Sequence, residues 1–173
     1  MQVVRTCRLT LEPQLAAHAE AMFLVLSDPA IYEHENAPPA SVEWLRQRFT
    51  KLESRGSLDG TEQWLNWVIR LPSDELIGYV QATVVADEAA AAATIAYELS
   101  SPHWGNGYAS EAVRAMIEEL VVRYRVIGLS AVLRQQNLRS LRLLERLGFA
   151  LASPLQREQA GIEAGELLML RAS

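Results

Sequence analysis

The stretch from Thr94 to Leu133 constrains the fold more than any other part of the chain. Ala109, Ala112, Val113, Met116, Ile117, Leu120, Val121 and Tyr124 recur at i, i+3, i+4, i+7, i+8, i+11, i+12 and i+15, while Ser110, Glu111, Arg114, Glu118, Glu119 and Arg123 fall between them on the other side. That spacing predicts an amphipathic helix laid on a sheet. Strand-like segments flank it, Thr94–Leu99 before and Leu129–Leu133 after, with Gly128 closing the connection. A helix joining two neighbouring strands forces them to run parallel, with a right-handed crossover.

The remaining segments fit around this unit. Val3–Leu11 is rich in β-branched residues and reads as a first strand. From Pro13, the positions Leu15, Ala19, Met22, Phe23 and Leu26 fall at helical spacing until Asp28-Pro29 ends the run. Pro38-Pro39 marks a loop, and Ser41 is placed to cap a second helix carrying Leu45, Phe49 and Leu52. Trp64–Leu71 and Leu76–Val85 form a hairpin about Pro72-Ser73-Asp74, and the run Ala89–Ala93 reads as a hairpin connection. Asn137 caps a helix over Leu138–Leu147 that Gly148 ends, and two last strands lie around Leu151 and over Leu167–Leu170. The order implies an α/β class: a mixed, mostly antiparallel central sheet of about seven strands with one parallel strand–helix–strand unit and about four helices. A length of 173 residues, half of them apolar, suits one domain over 1–173.

Composition narrows the function. A net charge of −5 disfavours nucleic acid, which demands concentrated Lys and Arg, and is compatible with a cationic acceptor. One cysteine, Cys7, excludes an intrachain disulfide and a cysteine-rich metal site, so no metal is expected; Cys7 itself reads as a small buried residue on the first strand. No apolar leader follows Met1 and no apolar run is long enough to span a bilayer, which makes a cytoplasmic location with no membrane partner the expectation.

The loop Ser101-Pro102-His103-Trp104-Gly105-Asn106-Gly107-Tyr108 precedes the amphipathic helix. Gly105 and Gly107 let the backbone turn sharply, and the helix end presents unsatisfied N–H groups and a positive dipole, a setting suited to phosphate. A dinucleotide fingerprint would need a third glycine where Ser110 stands, and a P-loop would need a Gly-Lys-Ser/Thr triplet that is absent. The two glycines alone read more readily as a tight turn without a ligand.

The wider segment from Tyr97 to Ala112 resembles the acetyl-CoA loop of the GNAT superfamily of N-acetyltransferases, closest to the branch that includes ribosomal-protein N-terminal acetyltransferases. Its loop pattern is Gln/Arg-x-x-Gly-x-Gly/Ala, with Trp104 here where Gln or Arg is usual. Asn137-Leu138-Arg139-Ser140 followed by Leu147-Gly148-Phe149 is similar to the family's N-x-x-S…L-G-F signature, and Thr6, Arg8, Leu9 and Leu11 with Leu76-Ile77-Gly78-Tyr79 agree more weakly. The resemblance spans Thr6 to Phe149 and implies a GNAT acyltransferase fold.

It also implies a reaction: transfer of the acetyl group of acetyl-CoA to a primary amine, on a protein N-terminus or a small molecule, by direct attack in a ternary complex, with coenzyme A as product. By the same resemblance, backbone at Leu99 and Ser101 pairs with the pantetheine arm, and the N–H groups of Trp104, Gly105, Asn106, Gly107, Tyr108 and Ala109 hold the pyrophosphate. Asn137 either binds the arm or only caps its helix. Ser140 either faces the sulfur as a hydrogen-bond donor or makes a local cap bond. A thiol near pKa ~8.5 leaves tolerably well, whereas an amine at ~7.7–8.0 (α-amino) or ~10.4 (lysine) must lose a proton before it attacks. Glu98 is the candidate base; the alternative is an outward-facing carboxylate. Glu33 and Glu35, with His34, either attract the amine or are merely solvated. Trp64 and Trp67 lie on opposite faces of their strand, and Trp67 is the candidate for the acceptor cleft. Edge strands allow a homodimer. Two readings of other classes compete: an acetyl-CoA-binding regulatory module without turnover, and a nucleotide binder that prefers ATP or NAD.

Overall fold

In the computed structural model, the described residues are 1–34, 37–86 and 90–172. Among them the chain forms a single eight-stranded sheet in the order β1-β2-β3-β4-β5-β6-β8-β7. The strands are β1 (Val4–Arg5), β2 (Thr10–Pro13), β3 (Glu62–Arg70), β4 (Leu76–Ala86), β5 (Ala91–Leu99), β6 (Val126–Arg134), β7 (Ala150–Leu151) and β8 (Glu166–Ala172). The α-helices are α1 (Ala19–Leu26), α2 (Val42–Leu52), α3 (Tyr108–Tyr124), α4 (Leu138–Arg146) and α5 (Pro154–Gln159). Every strand pair is antiparallel except β5–β6, which α3 bridges. The mixed sheet with one parallel unit is the architecture the helical spacing around α3 implies.

Two counts are corrected. The first strand is broken in two: the Thr6 N–H donates to the Leu9 carbonyl at 2.9 Å and the Leu9 N–H to Thr6 Oγ1 at 2.9 Å, closing a turn between β1 and β2. The fifth helix, α5, has its own signal in the sequence. Ser153 caps it in a reciprocal capping box with Gln156, and Pro154 sits at its first position.

Three boundaries move for tertiary reasons. Pro13 belongs to β2, paired with Trp67, so α1 starts only at Ala19, after a 3-10 turn. The alanines from Ala91 lie in β5 rather than a connection: Ala91 and Ala93 are buried in the core, where sheet packing overrides their helical preference. Ala89 lies outside the described residues. Gly128 lies within β6, paired with Ala92 and Ala172, and α3 is ended instead by Arg125 in the left-handed region at φ 54°, its N–H bonded to the Leu120 carbonyl.

Alternation across the sheet separates two cores. The cross-strand pair Val68–Tyr79 faces α1 and α2, joining Met22, Leu45 and Phe49. The neighbouring pair Trp67–Val80 points the other way, into the larger cluster that holds Val113, Met116 and Leu120 of α3. No helix among the described residues is long and apolar enough to cross a membrane.

One feature of the register positions the site. The β5–β6 ladder ends at Thr94–Ser130, whereas β5 stays paired with β4 through Leu99 and β6 with β8 through Arg134. The two parallel strands therefore separate at their carboxyl ends, below the loop that starts α3.

Candidate active site in the split between β5 and β6

A cavity of about 990 Å³ opens in this split and runs from the start of α3 to the surface between α1 and α2. At the end near α3, Gly105 and Gly107 have φ of 79° and 78°, the region where glycine is favoured. A Cβ at Gly105 would meet nothing within 4 Å, so conformation rather than space selects glycine there. Gly107 is also the N-cap of α3 and has no side chain to cap it, which leaves the first N–H groups of α3 directed at the cavity mouth.

The N-terminal turn clamps this loop. The Arg8 guanidinium bonds Glu111 through Nε at 2.7 Å and Nη2 at 2.6 Å, donates from Nη1 to the Asn106 carbonyl at 3.0 Å, and lies 4.7 Å over the Tyr108 ring. The other oxygen of Glu111 accepts from Thr6 Oγ1 at 2.6 Å and the Arg8 N–H at 2.9 Å. Burial would raise the Glu111 carboxyl, but these donors from Thr6 and Arg8 hold it below the usual carboxylate range. The Thr6 and Arg8 pattern thus acts as a brace for the glycine loop.

Gly105, Gly107, Tyr108, Ala109, Asn137 and Ser140 all line the cavity. Asn106 does not; its side-chain amide turns back to the His103 carbonyl at 3.3 Å and the Trp104 carbonyl at 3.2 Å. Leu99 lines the cavity, yet its carbonyl accepts the Trp104 indole N–H at 2.7 Å. The Ser101 N–H is donated to Asp28 Oδ2 at 2.7 Å, and hydrogen bonds from Ser101 keep Asp28 below the ordinary carboxylate range. Two backbone groups expected to pair with an incoming arm are therefore engaged within the protein. Asn137 Oδ1 accepts the Ser140 N–H at 3.1 Å, so Asn137 is the N-cap of α4.

On the other side of β5, Glu98 pairs across the ladder with Tyr79 and so shares the face covered by α1 and α2. It lines the cavity, and its charge reaches Tyr32: burial first, then Glu98, push the Tyr32 phenol up to about 12. The end of the cavity between α1 and α2 is walled by Tyr32, His34, Trp44 and Arg48. Arg48 lies 5.7 Å over the Trp44 ring.

Several expectations are revised. Trp67 is fully buried in the core and donates its indole N–H to the Gln2 carbonyl at 3.0 Å; it does not line the cavity. Its position three residues after Trp64 does put the two on opposite faces, but Trp64 is held by Glu62 at 2.8 Å and lies outside the cavity as well. Trp44, on α2, lines the cavity instead. Glu33 is exposed and pairs with His34 at 3.8 Å; only His34 reaches the cavity, and Glu35 lies outside the described residues. Cys7 is exposed in the β1–β2 turn rather than buried.

The sequence reading missed Tyr97 and Arg139. The Tyr97 hydroxyl lies 2.7 Å from Ser140 Oγ, and the Arg139 guanidinium carbon sits 3.5 Å from the centre of the Trp104 ring. The first contact joins β5 to α4, and the second joins the loop before α3 to α4. The sequence holds a partial signal: Tyr97 alternates with Glu98 on its strand, and Arg139 lies inside the Asn137–Ser140 motif.

A model of the acetyltransferase (GNAT) domain matches residues 8–150. An N-acetyltransferase called p20 from Bacillus licheniformis is 28% identical over 149 residues, 86% of this chain and 83% of that one. Among solved structures, RimL, a ribosomal alpha-N-protein acetyltransferase in complex with coenzyme A, superposes with a TM-score of 0.78 at 17% identity over 98% of this chain and 97% of its own. RimJ of Mycobacterium smegmatis gives a TM-score of 0.78 at 20% identity over 95% and 82%. The glycine loop, the separated parallel strands and the matched span agree: the chain belongs to the GNAT family of acetyltransferases.

Proposed function

We propose that this protein transfers the acetyl group of acetyl-CoA to a primary amine by direct attack in a ternary complex. The observation that carries the reading is that one cavity joins the uncapped start of α3 to Ser140 and, around the end of β5, to Glu98. The pyrophosphate fits the first, through the N–H groups of Gly105 to Ala109 and the helix dipole; the Trp104 N–H, expected to join them, is donated to the Ser101 carbonyl at 3.1 Å. The amine fits the second. Glu98 accepts the proton of the attacking amine, directly or through water, and the negative charge it adds beside Tyr32 and Tyr79 draws a protonated amine in. The thiolate leaves next to the Ser140 hydroxyl. An arm laid along β5 at Leu99 meets the Trp104 indole, so Trp104 must release that carbonyl for the pairing to form. The reading draws support from two structural relatives that hold coenzyme A, RimL and RimJ. RimL's name gives protein α-amino groups as a first class of acceptor to try.

Calorimetric titration with acetyl-CoA, coenzyme A, ATP and NAD, followed by a panel of amines and short peptides, tests this. Binding of the coenzyme A species alone is expected, with acetyl transfer that falls about 10²–10⁴-fold in Glu98→Gln while acetyl-CoA binding is kept. Binding of ATP or NAD in preference would refute it. Acetyl-CoA binding with no transfer to any amine would favour a regulatory module.

A further inference from the structure

We propose that Tyr97 is a positioning residue for the leaving thiolate, passing a proton through Ser140. The inference rests on the acetyl-CoA reading above and adds to it a residue on β5. The phenol oxygen lies 2.7 Å from Ser140 Oγ and 3.4 Å from the Ser140 carbonyl, and both residues line the cavity. Ser140 is held at the first turn of α4 by its N–H bond to Asn137, so its hydroxyl has a fixed origin. Tyr97 faces away from Glu98, which pairs with Tyr79 on the α1–α2 side, so the two groups serve opposite sides of the same strand.

The chemistry calls for such a partner. A serine hydroxyl is a far weaker acid than a thiol, so alone it can hydrogen-bond a thiolate but does not protonate it. A phenol at about pKa 10 is within roughly 1.5 units of a thiol at about 8.5. The amine nitrogen forms its bond to the acetyl carbon, and the carbon–sulfur bond breaks with its electron pair on sulfur. The Ser140 hydroxyl hydrogen moves to sulfur and the Tyr97 hydrogen to Ser140 Oγ. The amine's proton goes to Glu98, and water in the cleft then takes that proton from Glu98 and returns one to the Tyr97 phenolate. One amine proton has become the thiol proton of coenzyme A.

The test needs no acceptor. Coenzyme A is bound to the full chain, and the pH dependence of its alkylation by iodoacetamide is read as modified coenzyme A by mass, which separates it from the exposed Cys7. In the wild type the bound thiol should titrate below about 8.5. In Tyr97→Phe it should titrate about one unit higher, a tenfold loss of thiolate at a given pH, with coenzyme A affinity within about threefold. Ser140→Ala should shift it at least as far, and the double variant no further. Glu98, His103, Tyr108, Arg139 and Arg146 share the cavity in all these proteins, so the difference isolates the hydroxyl pair. A purely structural Tyr97 would weaken binding and leave the thiol titration where it was. Unchanged titration in both single variants that still bind coenzyme A overturns the relay and leaves the acetyl-CoA reading intact. A wild type that does not bind coenzyme A overturns both.

Discussion

Gly78 offers the sharpest test of how the fold sets the site. It sits on β4 opposite Leu99, and a Cβ built there would lie 2.1 Å from the Glu98 carbonyl oxygen and 2.9 Å from Leu99 Cα. Both are backbone atoms, so no side-chain rotation relieves the clash. In Gly78→Ala the end of β5 must move away by about 1 Å or more to restore an ordinary contact. The displaced backbone also carries the Ser100 N–H bond to the Ile77 carbonyl, 2.9 Å. Overpacking costs roughly 1–3 kcal/mol and the strained hydrogen bond about 0.5–1.5 kcal/mol, together about 2–4 kcal/mol. At about 2–4 °C per kcal/mol for a chain this size, Tm should fall by roughly 5–15 °C. Because the moved backbone carries Glu98, the proposed base, acetyl transfer in the folded protein should fall about 10²-fold for a 1 Å displacement. Gly128→Ala is the control: nothing lies within 4 Å of its added Cβ and its φ is ordinary, so it should stay within about 1 kcal/mol of wild type. Melting curves and kcat/KM on both variants decide the matter. A Gly78→Ala protein that melts and turns over like wild type would show that the approach of β4 to β5 does not fix the site.

Glu111 is held below its ordinary pKa, so it contributes stability that is present above the unfolded carboxyl value and lost as pH falls through the folded one; Tm measured from neutral to acid pH should fall less steeply in Glu111→Gln than in wild type. Trp104→Phe keeps the ring but removes the N–H that occupies the Leu99 carbonyl, so calorimetry should show acetyl-CoA bound tighter by several-fold; weaker binding would mean the indole supports the cofactor. Trp67→Ala should cost about 3–5 kcal/mol in chemical denaturation and leave the acceptor KM of the folded protein unchanged, since Trp67 is buried in the core and outside the cavity; a raised KM with little loss of stability would return it to the acceptor site.

Local signals in the sequence carried as far as periodicity and backbone conformation reach. The α3 spacing, the Gly105–Gly107 turn, the Ser41 and Asn137 caps and the left-handed Gly148 are set by neighbours within a few residues, and each is where the pattern predicts it. Features decided by distant partners were not legible. The alanines of β5 become strand because β4 and β6 pair with them, and Cys7 is exposed because Thr6 closes a turn around it. Trp67 illustrates the limit on the site: strand alternation gives two faces, but only the position of α1 and α2 says that the Val68 and Glu98 side faces those helices.

Trp104 can stand where the family pattern places Gln or Arg because the groups at the start of α3 do not depend on its side chain. The N–H groups at the start of α3 are backbone, present whatever residue occupies that position. Trp104 adds two contacts that a Gln would not combine: an indole donor to Leu99 on β5, and a ring beneath Arg139 on α4. A guanidinium stacked on an indole at this distance contributes about 0.5–2 kcal/mol. Together with the Tyr97–Ser140 bond, these contacts tie β5 to α4 across a gap that has no ladder hydrogen bonds beyond Thr94. The Trp104 indole N–H occupies the Leu99 carbonyl, so any group laid along β5 at that point would have to displace this hydrogen bond. The loop's departure from the family pattern therefore changes the side-chain contacts across the gap and leaves the backbone N–H groups at the start of α3 in place.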